Sequence, residues 1–512
     1  MSSNQPGISR RAAVSAGVVA GAAAIGLSEL LAGVVSGAPS LVTAIGQLAI
    51  ALQPAGAKEI VVGLFGEFDK LALNVAVTLV ALASAAGLGL LARRHGGWAT
   101  AGFAIVGLLA LVASLMNPLN DPLLSVLVSG AAVATASWVL RALLAAATAG
   151  RHDAEMPDWA RRRFIGTSLA VAGGAVVAGS IGRFLLDREQ AQAVGLPALP
   201  PPSAKLPPLK PDTSLDVPGI TPIVMPNDRF YRIDTQLLTP HLDATDWKMT
   251  VTGLVDRPLS LTYADLLAMP QLEQYVTIAC VSNEVGGPLV GNARWSGVRL
   301  REVLDRAGVK TAASQVVGRA FDGWTAGFPT SWLDAPGREA MIAVGMNGER
   351  LPPAHGFPAR LIVPGLYGYV SATKWLTNIE LTTLEAFDAY WIELGWSKDG
   401  PILTQSRIDT PRPGGSVLAG RVPVAGVAWA PDRGIRSVEV QVDDGPWQEA
   451  QLSDPISPAT WVQFVYRWQA TPGQHRLRVR ASDGSGILQS SAQTPPAPDG
   501  ARGYHTVEVT VQ

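Results

Sequence analysis

The feature that most constrains the fold of this 512-residue chain is a set of five apolar stretches before residue 190. Each is about as long as the roughly 20 apolar residues that a helix needs to cross a bilayer. Because a segment in lipid must satisfy its own backbone hydrogen bonds, we expect five transmembrane helices. Residues 41–68 are apolar but interrupted by charges, and are predicted to form a helical hairpin or an interfacial segment. The five predicted spans are residues 12–37, 71–92, 98–116, 122–140 and 164–182.

Basic residues predict the orientation of these spans. Arginine pairs precede the first span and follow the second, further arginines lie between residues 141 and 163, and the 117–121 turn has no basic residue. Since Lys and Arg mark cytoplasmic loops, the chain is predicted to emerge outside after residue 182. The run Arg161-Arg162-Arg163 before the last span resembles an internal twin-arginine export motif. A plain topology signal is the alternative interpretation.

Composition limits what the helical half can do. The formal net charge of −1 gives no basis for a nucleic-acid partner. Only His95 and His152 lie in this half, both in predicted loops, so no haem held by two histidines inside the helices is expected. Glu29 is an intramembrane carboxylate and therefore a candidate for a function. The simpler interpretation of this half is an anchor in the lipid bilayer, or a docking surface for an electron-carrying partner.

The character of the sequence changes after residue 190. Residues 191–226 are rich in proline, which predicts an extended, semi-rigid linker. Residues 227–398 mix strand-like and helix-like segments, as is typical of an α+β domain. Residues 399–512 contain short alternating segments separated by turn residues, which predicts an all-β, immunoglobulin-like sandwich. The predicted order is thus a transmembrane helical domain (1–190), a linker, an α+β domain and a β-sandwich.

Cys280 is the only cysteine in the chain, so it cannot form an intramolecular disulfide. Three interpretations of it are open. It is an inert buried thiol, a nucleophile activated by a base such as His355, or one thiolate ligand of a metal held mainly by another molecule. The motif CxxCH for covalent haem is absent from the sequence.

Donor-rich motifs follow Cys280. They are the segment HGFPAR, which ends at Arg360, the glycine-rich residues 364–368, and the segment SATKW, which contains Lys374. Guanidinium groups, backbone N–H groups and lysine bind cofactors that carry phosphate. Taken singly, each motif has a simpler interpretation as a surface salt bridge or a tight turn.

Together and in this order, the motifs of residues 225–512 resemble the sulfite oxidase family of molybdopterin enzymes. The matching stretches are the Cys280 segment with ARWSGVRL, then NGERLPPAHGFPARLIVPGLYG, then TKW, then residues 405–408 before a β domain. The resemblance implies a molybdenum–molybdopterin cofactor with Cys280 as the protein thiolate on the metal. It also implies that the β domain is a dimerisation domain. The residues that it assigns to the pterin and its phosphate are Phe230, Tyr231, Arg232, Asp322, His355, Arg360, Ala372, Thr373 and Lys374.

The same resemblance suggests which residues face the substrate. Arg232 matches the arginine of the family's FxR segment and would orient an oxyanion and stabilise developing charge. Arg294 is a second candidate for this pocket. Glu393 occupies the position of the family's active-site tyrosine, and Tyr390, one helical turn earlier, is predicted to replace that tyrosine.

One departure from the family concerns the charge of the pocket. Animal and plant members have two arginines shortly after the cysteine, whereas this chain has Glu284 and Val285 at those positions. The pocket is therefore predicted to be less cationic than that of the enzymes that oxidise sulfite.

These features predict a multi-pass cell-membrane protein whose extracytoplasmic half is a molybdenum oxidoreductase that transfers an oxygen atom to or from a small substrate. Electrons would pass through an external carrier, a cytochrome or a quinone-linked membrane protein, because the sequence shows no second redox centre. Within the class, the alternative is a reductase of S-oxides or N-oxides such as methionine sulfoxide. Outside it, the alternatives are a membrane transport or signalling protein with a non-catalytic, ligand-binding outer module, and a thiol hydrolase that uses Cys280 and His355.

Overall fold

The computed structural model describes residues 8–54, 61, 64–65, 69–148, 157–189, 198–334 and 338–512. The chain forms two compact units. The helical unit comprises Met1–Val194 together with Thr235–His241. The second unit comprises Gly195–Asp234 and Leu242–Gln512.

Within its described residues, the helical unit contains five helices that are long and apolar enough to cross a membrane, which confirms the five predicted apolar helices. A shorter apolar helix, α2, begins the region predicted as a hairpin or an interfacial segment. Most of the remainder of that region, up to residue 68, lies outside the described residues. The helices are α1 (Arg10–Val34), α2 (Leu41–Ala51), α3 (Asp69–Ala92), α4 (Gly96–Leu115), α5 (Pro122–Thr148) and α6 (Pro157–Glu189).

Helix α1 packs against α6 through small residues. A Cβ atom added to Gly26 would lie 2.4 Å from the carbonyl oxygen of Ala175, and one added to Gly33 would lie 2.3 Å from that of Gly182. Such contacts require glycine, because the two backbones approach too closely for a side chain. The contacts advance in step along both helices, so α1 and α6 run parallel. The orientation predicted from the basic residues requires the first and last spans to be parallel in this way.

Glu29, the carboxylate noted in the sequence, is buried at this interface. Its Oε2 lies 2.9 Å from Nε of Arg183 on α6, and the Ser40 hydroxyl donates to its Oε1 at 2.7 Å. The opposite charge and the hydroxyl offset part of the cost of burying a carboxylate. Arg183 was not predicted as a partner, because the sequence does not show which helix packs against α1.

A segment from much later in the chain, Thr235–His241, is part of the helical unit. Gln47 donates from Nε2 to the carbonyl oxygen of Thr235 at 2.9 Å, and Lys70 donates from Nζ to that of Gln236 at 2.8 Å. A Cβ atom on Gly46 would lie 2.5 Å from Cδ1 of Leu237, so the Leu237 side chain packs directly on the α2 backbone. No local pattern in the sequence predicts this association.

The α+β part of the second unit is built on two sheets, as the mixed pattern of residues 227–398 predicts. One is a five-stranded sheet with the strand order β2-β1-β10-β5-β6, and in the other β3-β4-β7-β8 are adjacent and β9 pairs with β7. A threonine before an apolar run at helical spacing predicts a helix start at Thr262, and Thr262 and Asp265 form a reciprocal capping box at the start of α7. The elements are β1 (Lys248–Gly253), β2 (Leu259–Thr262), α7 (Tyr263–Ala268), β3 (Gln271–Ala279), β4 (Val290–Arg299), α8 (Leu300–Ala307), β5 (Gln315–Ala320), β6 (Thr325–Pro329), β7 (Met341–Met346), β8 (Glu349–Arg350), β9 (Arg360–Ile362), α9 (Gly368–Ser371), β10 (Leu376–Thr382) and α10 (Tyr390–Glu393).

The C-terminal region is rich in β-strands, as predicted. Its two sheets have the orders β11-β13-β17-β16 and β12-β19-β18-β14-β15. Buried side chains of both sheets, among them Val424, Phe464, Val440 and Leu477, form one apolar core. The strands are β11 (Gln405–Thr410), β12 (Ser416–Val417), β13 (Gly420–Trp429), β14 (Ile435–Val442), β15 (Gln448–Glu449), β16 (Gln451–Leu452), β17 (Val462–Ala470), β18 (Gly473–Asp483) and β19 (His505–Val511).

The described part of the predicted linker, residues 198–226, is extended but does not stand free as a spacer. The backbone N–H of Ser203 donates to the carbonyl oxygen of Gln271, and that of Leu215 donates to the side chain of Gln463. The segment is therefore part of the second unit. Proline composition predicts an extended chain, but it does not show whether the chain finds hydrogen-bond partners on a neighbouring surface.

We predict that Gly33→Ile destabilises the helical unit by forcing α1 away from α6. Overpacking of a close contact costs about 1–3 kcal/mol, so the thermal unfolding midpoint of the detergent-solubilised protein should fall. Gly130→Ile is the matched control, because a Cβ atom on Gly130 of α5 would meet no atom within 4 Å. Equal midpoints for the two variants would contradict the close α1–α6 contact.

Candidate cofactor and active site

Cys280 is the first residue of the loop that joins β3 to β4. The last pair of this antiparallel ladder is Ala279 with Val290, and the N–H of Cys280 donates to the carbonyl oxygen of Leu289 at 2.9 Å. We call residues 280–289 the cysteine loop. The Cys280 side chain is a half-buried free thiol, so it is neither deeply enclosed nor fully open to solvent.

A shared carboxylate joins two of the predicted cofactor residues. Oδ2 of Asp234 accepts from Nε of Arg232 at 2.9 Å and from Nζ of Lys374 at 3.0 Å. Lys374 also donates to the carbonyl oxygen of Ala354 at 3.0 Å. Residues 232 and 374, which are far apart in the sequence, therefore lie side by side. Asp234 was not among the predicted site residues.

His355 and Arg360 extend this cluster. Nη1 of Arg360 donates to the carbonyl oxygen of His355 at 3.0 Å, and its guanidinium lies over the Trp295 ring, 5.1 Å from the centroid. Nε2 of His355 lies 2.8 Å from the carbonyl oxygen of Asn227. Because a carbonyl oxygen accepts only, Nε2 must carry the proton and Nδ1 is the acceptor of the neutral ring. Phe230 packs edge-on against the same ring, with centroids 5.6 Å apart.

The electrostatics of the cluster favour a neutral His355 and a charged Arg360. Burial lowers the pKa of His355 to about 4, and the positive charges of Lys374, Arg360 and Arg232 act in the same direction. The hydrogen bond to the Asn227 carbonyl opposes them. Burial lowers the pKa of Arg360 to about 10, so the guanidinium remains protonated at neutral pH. The cluster thus holds three cations and one carboxylate around a neutral imidazole.

Two tyrosines, the half-buried Tyr231 and the buried Tyr367, lie close enough to Cys280 to interact with it electrostatically. Burial raises the pKa of Tyr231, and negative charge at Cys280 raises it further. Burial also raises the pKa of Tyr367 to about 12, where Cys280 adds to the effect and the N–H of Leu403 opposes it. Tyr231 was predicted to bind the cofactor, whereas Tyr367 was missed. The available signal was its place within the glycine-rich residues 364–368.

The other predicted cofactor residues lie on segments next to Lys374. Asp322 is in the turn between β5 and β6, where it accepts from the N–H of Trp324 at 3.1 Å. The N–H of Phe321 in that turn donates to the carbonyl oxygen of Trp375, and their rings meet edge-on. Thr373 is fully buried and donates to the carbonyl oxygen of Gly318 at 3.3 Å, while Ala372 follows α9.

The predicted substrate-facing residues other than Arg232 have contacts elsewhere. Tyr390 lies on α10, where its N–H donates to the Thr325 hydroxyl and its ring packs edge-on against Trp391. Glu393 is exposed. Nε of Arg294 is 4.0 Å from Oε1 of Glu273. The catalytic role of Tyr390 stays a prediction.

The chemistry of the cluster fits a ligand that carries negative charge. Three of its buried polar atoms have no hydrogen-bond partner in the described part of the chain, namely Nη2 of Arg232, Nδ1 of His355 and Nε of Arg360. A buried polar atom without a partner costs free energy, so such atoms commonly mark the place of a bound group. In this cluster the guanidinium and ammonium groups outnumber the carboxylates. The resulting net positive charge suits a phosphate group.

A metal at Cys280 would need ligands from outside the polypeptide. Within the described residues, no group of three or more His, Cys, Asp or Glu side chains is placed to hold a metal ion. One soft thiolate can complete the coordination of a metal that a cofactor holds by its own sulfur atoms.

Comparison with known proteins gives a consistent result. Residues 236–391 match the family model of the oxidoreductase molybdopterin binding domain. The uncharacterized oxidoreductase YuiH of Bacillus subtilis is 38% identical over 158 residues, which are 31% of this chain and 76% of that protein. Mitochondrial sulfite oxidase of Mus musculus is 29% identical over 321 residues, with 53% of this chain and 58% of that enzyme covered. The chain thus spans little more than half the length of this sulfite oxidase.

Among solved structures, the sulfane dehydrogenase SoxCD of Paracoccus pantotrophus superposes on this chain with a TM-score of 0.49 and 22% sequence identity. The superposition covers 62% of this chain and 92% of that one.

The family model and the similarity to YuiH define the class of the protein, a molybdopterin-dependent oxidoreductase. The chain belongs to the sulfite oxidase family, and its cofactor is molybdenum–molybdopterin. The resemblance stated from the motifs is therefore confirmed, as is the prediction of an enzyme. A phosphate-bearing pterin also agrees with the unpaired donors of the cluster.

We predict a pH dependence of stability that is specific to His355. Its pKa is about 4 in the folded protein and 6.5 when exposed. The unfolded chain therefore binds more protons between these values, and stability is lost as the pH falls from 6.5 to 4. In His355→Gln, the thermal midpoint of the cofactor-free protein should fall less over this range.

His475→Gln is the matched control for this experiment. A hydrogen bond to Asp443 raises the pKa of His475, so its removal should not flatten the fall in midpoint. A wild-type pH dependence in His355→Gln would show that the ring is not buried in its neutral form.

Proposed function

We propose that this protein is a membrane-anchored, extracytoplasmic oxidoreductase that transfers an oxygen atom to or from a small substrate at a molybdenum ligated by Cys280. The observation that carries the proposal is one cluster in which cations with unpaired buried donors lie among the residues that the family motifs select. When bound, the cofactor supplies a metal that exchanges an oxygen atom and two electrons. The protein residues supply binding, orientation and charge.

The cluster divides into residues that bind the cofactor and one that faces the substrate. Arg360, His355 and Lys374 would bind the pterin and its phosphate, Arg360 through its buried Nε–H, His355 through Nδ1 as an acceptor for a donor group of the pterin, and Lys374 through its positive charge. Phe230, Tyr231, Asp322, Ala372 and Thr373 would line it, as the family motifs imply. Arg232 is fixed through Nε by Asp234, which leaves its buried Nη2 available to orient a substrate oxygen and stabilise charge developing on it.

The charge of the site favours a second candidate within the same class, a reductase of S-oxides or N-oxides. The Asp234 carboxylate offsets part of the charge of Arg232 and Lys374. Glu284 of the cysteine loop is exposed and adds a negative charge four residues after Cys280 in the sequence. A neutral oxide such as a sulfoxide needs one hydrogen-bond donor at its oxygen, whereas an anion such as sulfite gains more from a cationic pocket.

The five apolar helices and the distribution of arginines support the membrane location, with residues after 182 outside. A cofactor acquired in the cytoplasm would require export of a folded domain, for which the run Arg161-Arg162-Arg163 is the proposed twin-arginine signal. We propose the domain boundaries 1–190, 191–226, 227–398 and 399–512, with an immunoglobulin-like fold and a homodimer contact in the last. Electrons would be exchanged with an external cytochrome or quinone-linked membrane protein.

The first experiment measures molybdenum and pterin in the full-length protein, made in a host that supplies the cofactor. We expect about one molybdenum per chain in the wild type, as for one mononuclear site per catalytic domain. Cys280→Ser should retain pterin but lose turnover and the part of the sulfur-to-molybdenum charge-transfer absorption that comes from the cysteine sulfur, because a hydroxyl replaces the soft ligand. Absence of both molybdenum and pterin from the wild type would contradict the proposal, and a mutant spectrum identical to that of the wild type would contradict the role of Cys280.

A second experiment compares the two candidate arginines. Arg232→Met should lower kcat/KM by about a hundredfold while the cofactor content is retained, as when one preorganised donor is removed from a site of developing charge. Arg294→Met is the matched control, because Arg294 is partly exposed beside Glu273. The reverse order of the two effects would assign the substrate-facing role to Arg294.

A further inference from the structure

The cysteine loop is hydrogen-bonded to β11, which lies more than 100 residues later in the chain. Nη1 of Arg407 donates to the carbonyl oxygen of Gly287 at 2.8 Å. The other two nitrogens of the guanidinium are also bonded, Nε to Asp409 at 2.7 Å and Nη2 to the Thr221 hydroxyl at 2.9 Å. The side chain is largely buried and its direction is set by all three contacts. Arg407 therefore holds the loop backbone with a rigid, charged donor.

His505, at the start of β19, packs against the neighbouring residue of the same loop. A Cβ atom on Gly286 would lie 2.1 Å from Cδ2 of the His505 ring, and the φ of Gly286 is +80°. Both observations require glycine at this position. Nδ1 of His505 accepts from the N–H of Ile408 at 3.0 Å, which fixes the ring next to Arg407. The ring and the guanidinium thus contact two successive residues of the cysteine loop.

The strand that leads into Cys280, β3, is also hydrogen-bonded to the C-terminal region. The N–H of Thr277 donates to the carbonyl oxygen of Ala459 at 2.9 Å. The Thr277 hydroxyl accepts from the N–H of Trp461 at 2.8 Å, and Trp461 is fully buried. Both chain segments that flank Cys280 are therefore bonded to residues beyond 399.

We infer that Arg407 and His505 are positioning residues that set the place of the Cys280 thiol, so that the C-terminal β region forms part of the active-site support. Within the loop itself, the N–H of Leu289 is held by Oδ1 of Asn283, and the base is closed by Cys280 and Leu289. These local bonds do not fix the loop against the rest of the domain, whereas Arg407 and His505 do. A metal ligand must be held to within about 0.5 Å of its working position by the groups around it.

The effect of Arg407 and His505 on metal ligation rests on the proposed role of Cys280 as a metal ligand. Their effect on the position of the Cys280 thiol does not depend on that role. The two are separable because Cys280 is the only thiol in the chain. Every alkylated thiol in the full-length protein therefore reports on this loop, with or without the cofactor. The alkylation rate follows how often the loop opens, which is a local property.

The test measures the rate of alkylation by iodoacetamide in full-length, cofactor-free protein. Arg407→Met should raise the rate by about tenfold, which is the change expected when one charged hydrogen bond to the loop is lost. Gly286→Ala should also raise it, because the added methyl group displaces the loop from His505. Arg407→Lys keeps one charged donor, so its alkylation rate should lie between those of the wild type and Arg407→Met. Arg467→Met is the matched control, because that exposed arginine bonds Gln451 on the neighbouring strand.

Circular dichroism separates a local effect from unfolding. If Arg407→Met loses its native spectrum, Arg407→Lys and Gly286→Ala decide the question. Rates within twofold of the wild type in the natively folded variants would overturn the inference. In the cofactor-loaded protein, the folded variants should shift the sulfur-to-molybdenum charge-transfer band, whereas Arg467→Met should not.

A wild type that contains no molybdenum, combined with faster alkylation in the variants, would overturn the proposed function and leave the positioning role intact. A wild type that contains molybdenum, combined with unchanged alkylation rates in the variants, would overturn the positioning role and leave the proposed function intact.

Discussion

The site depends on one carboxylate, that of Asp234, which binds Arg232 and Lys374 at once. Without it, the buried cluster would contain three cations and no negative charge, and their mutual repulsion would oppose folding. The shared ion pair also joins two segments that are 140 residues apart in the chain. It places Nη2 of Arg232 and the Lys374 ammonium in one region while leaving part of the positive charge uncompensated. An anionic cofactor is the group that completes the balance.

The remaining features of the cluster follow from burial near positive charge. His355 stays neutral because both burial and three nearby cations oppose its protonation. Arg360 keeps its charge, stabilised by the face of Trp295 and the carbonyl oxygen of His355. The phenols of Tyr231 and Tyr367 stay protonated beside Cys280. The site thus offers donors of fixed charge over a wide range around neutral pH.

The helical unit also contains a buried carboxylate that is paired with a cation, here between two apolar helices. Glu29 is buried between α1 and α6, and Arg183 and Ser40 provide its partners. The glycines on either side of Glu29 let the two backbones approach closely, so the ion pair is enclosed by helix surface. In both units a buried carboxylate sets the relative position of segments that are distant in sequence. The functional candidate Glu29 therefore has a structural role in this unit.

The sequence by itself determined the features that depend on neighbouring residues. Apolar runs predicted the five long helices, alternation predicted the C-terminal strands, Thr262 predicted a helix start, and the ordered motifs around Cys280 and Arg360 indicated the family and its cofactor. Only the tertiary structure decided that Asp234 lies between Arg232 and Lys374 and that Arg183 meets Glu29. It also decided that Tyr367 lies near Cys280 and that Arg407 holds the cysteine loop. It also showed that residues 198–226 are hydrogen-bonded into the second unit. The physical reason is that propensity and periodicity act over a few residues, whereas these hydrogen bonds and ion pairs form between residues brought together only when the sheets and helices have packed.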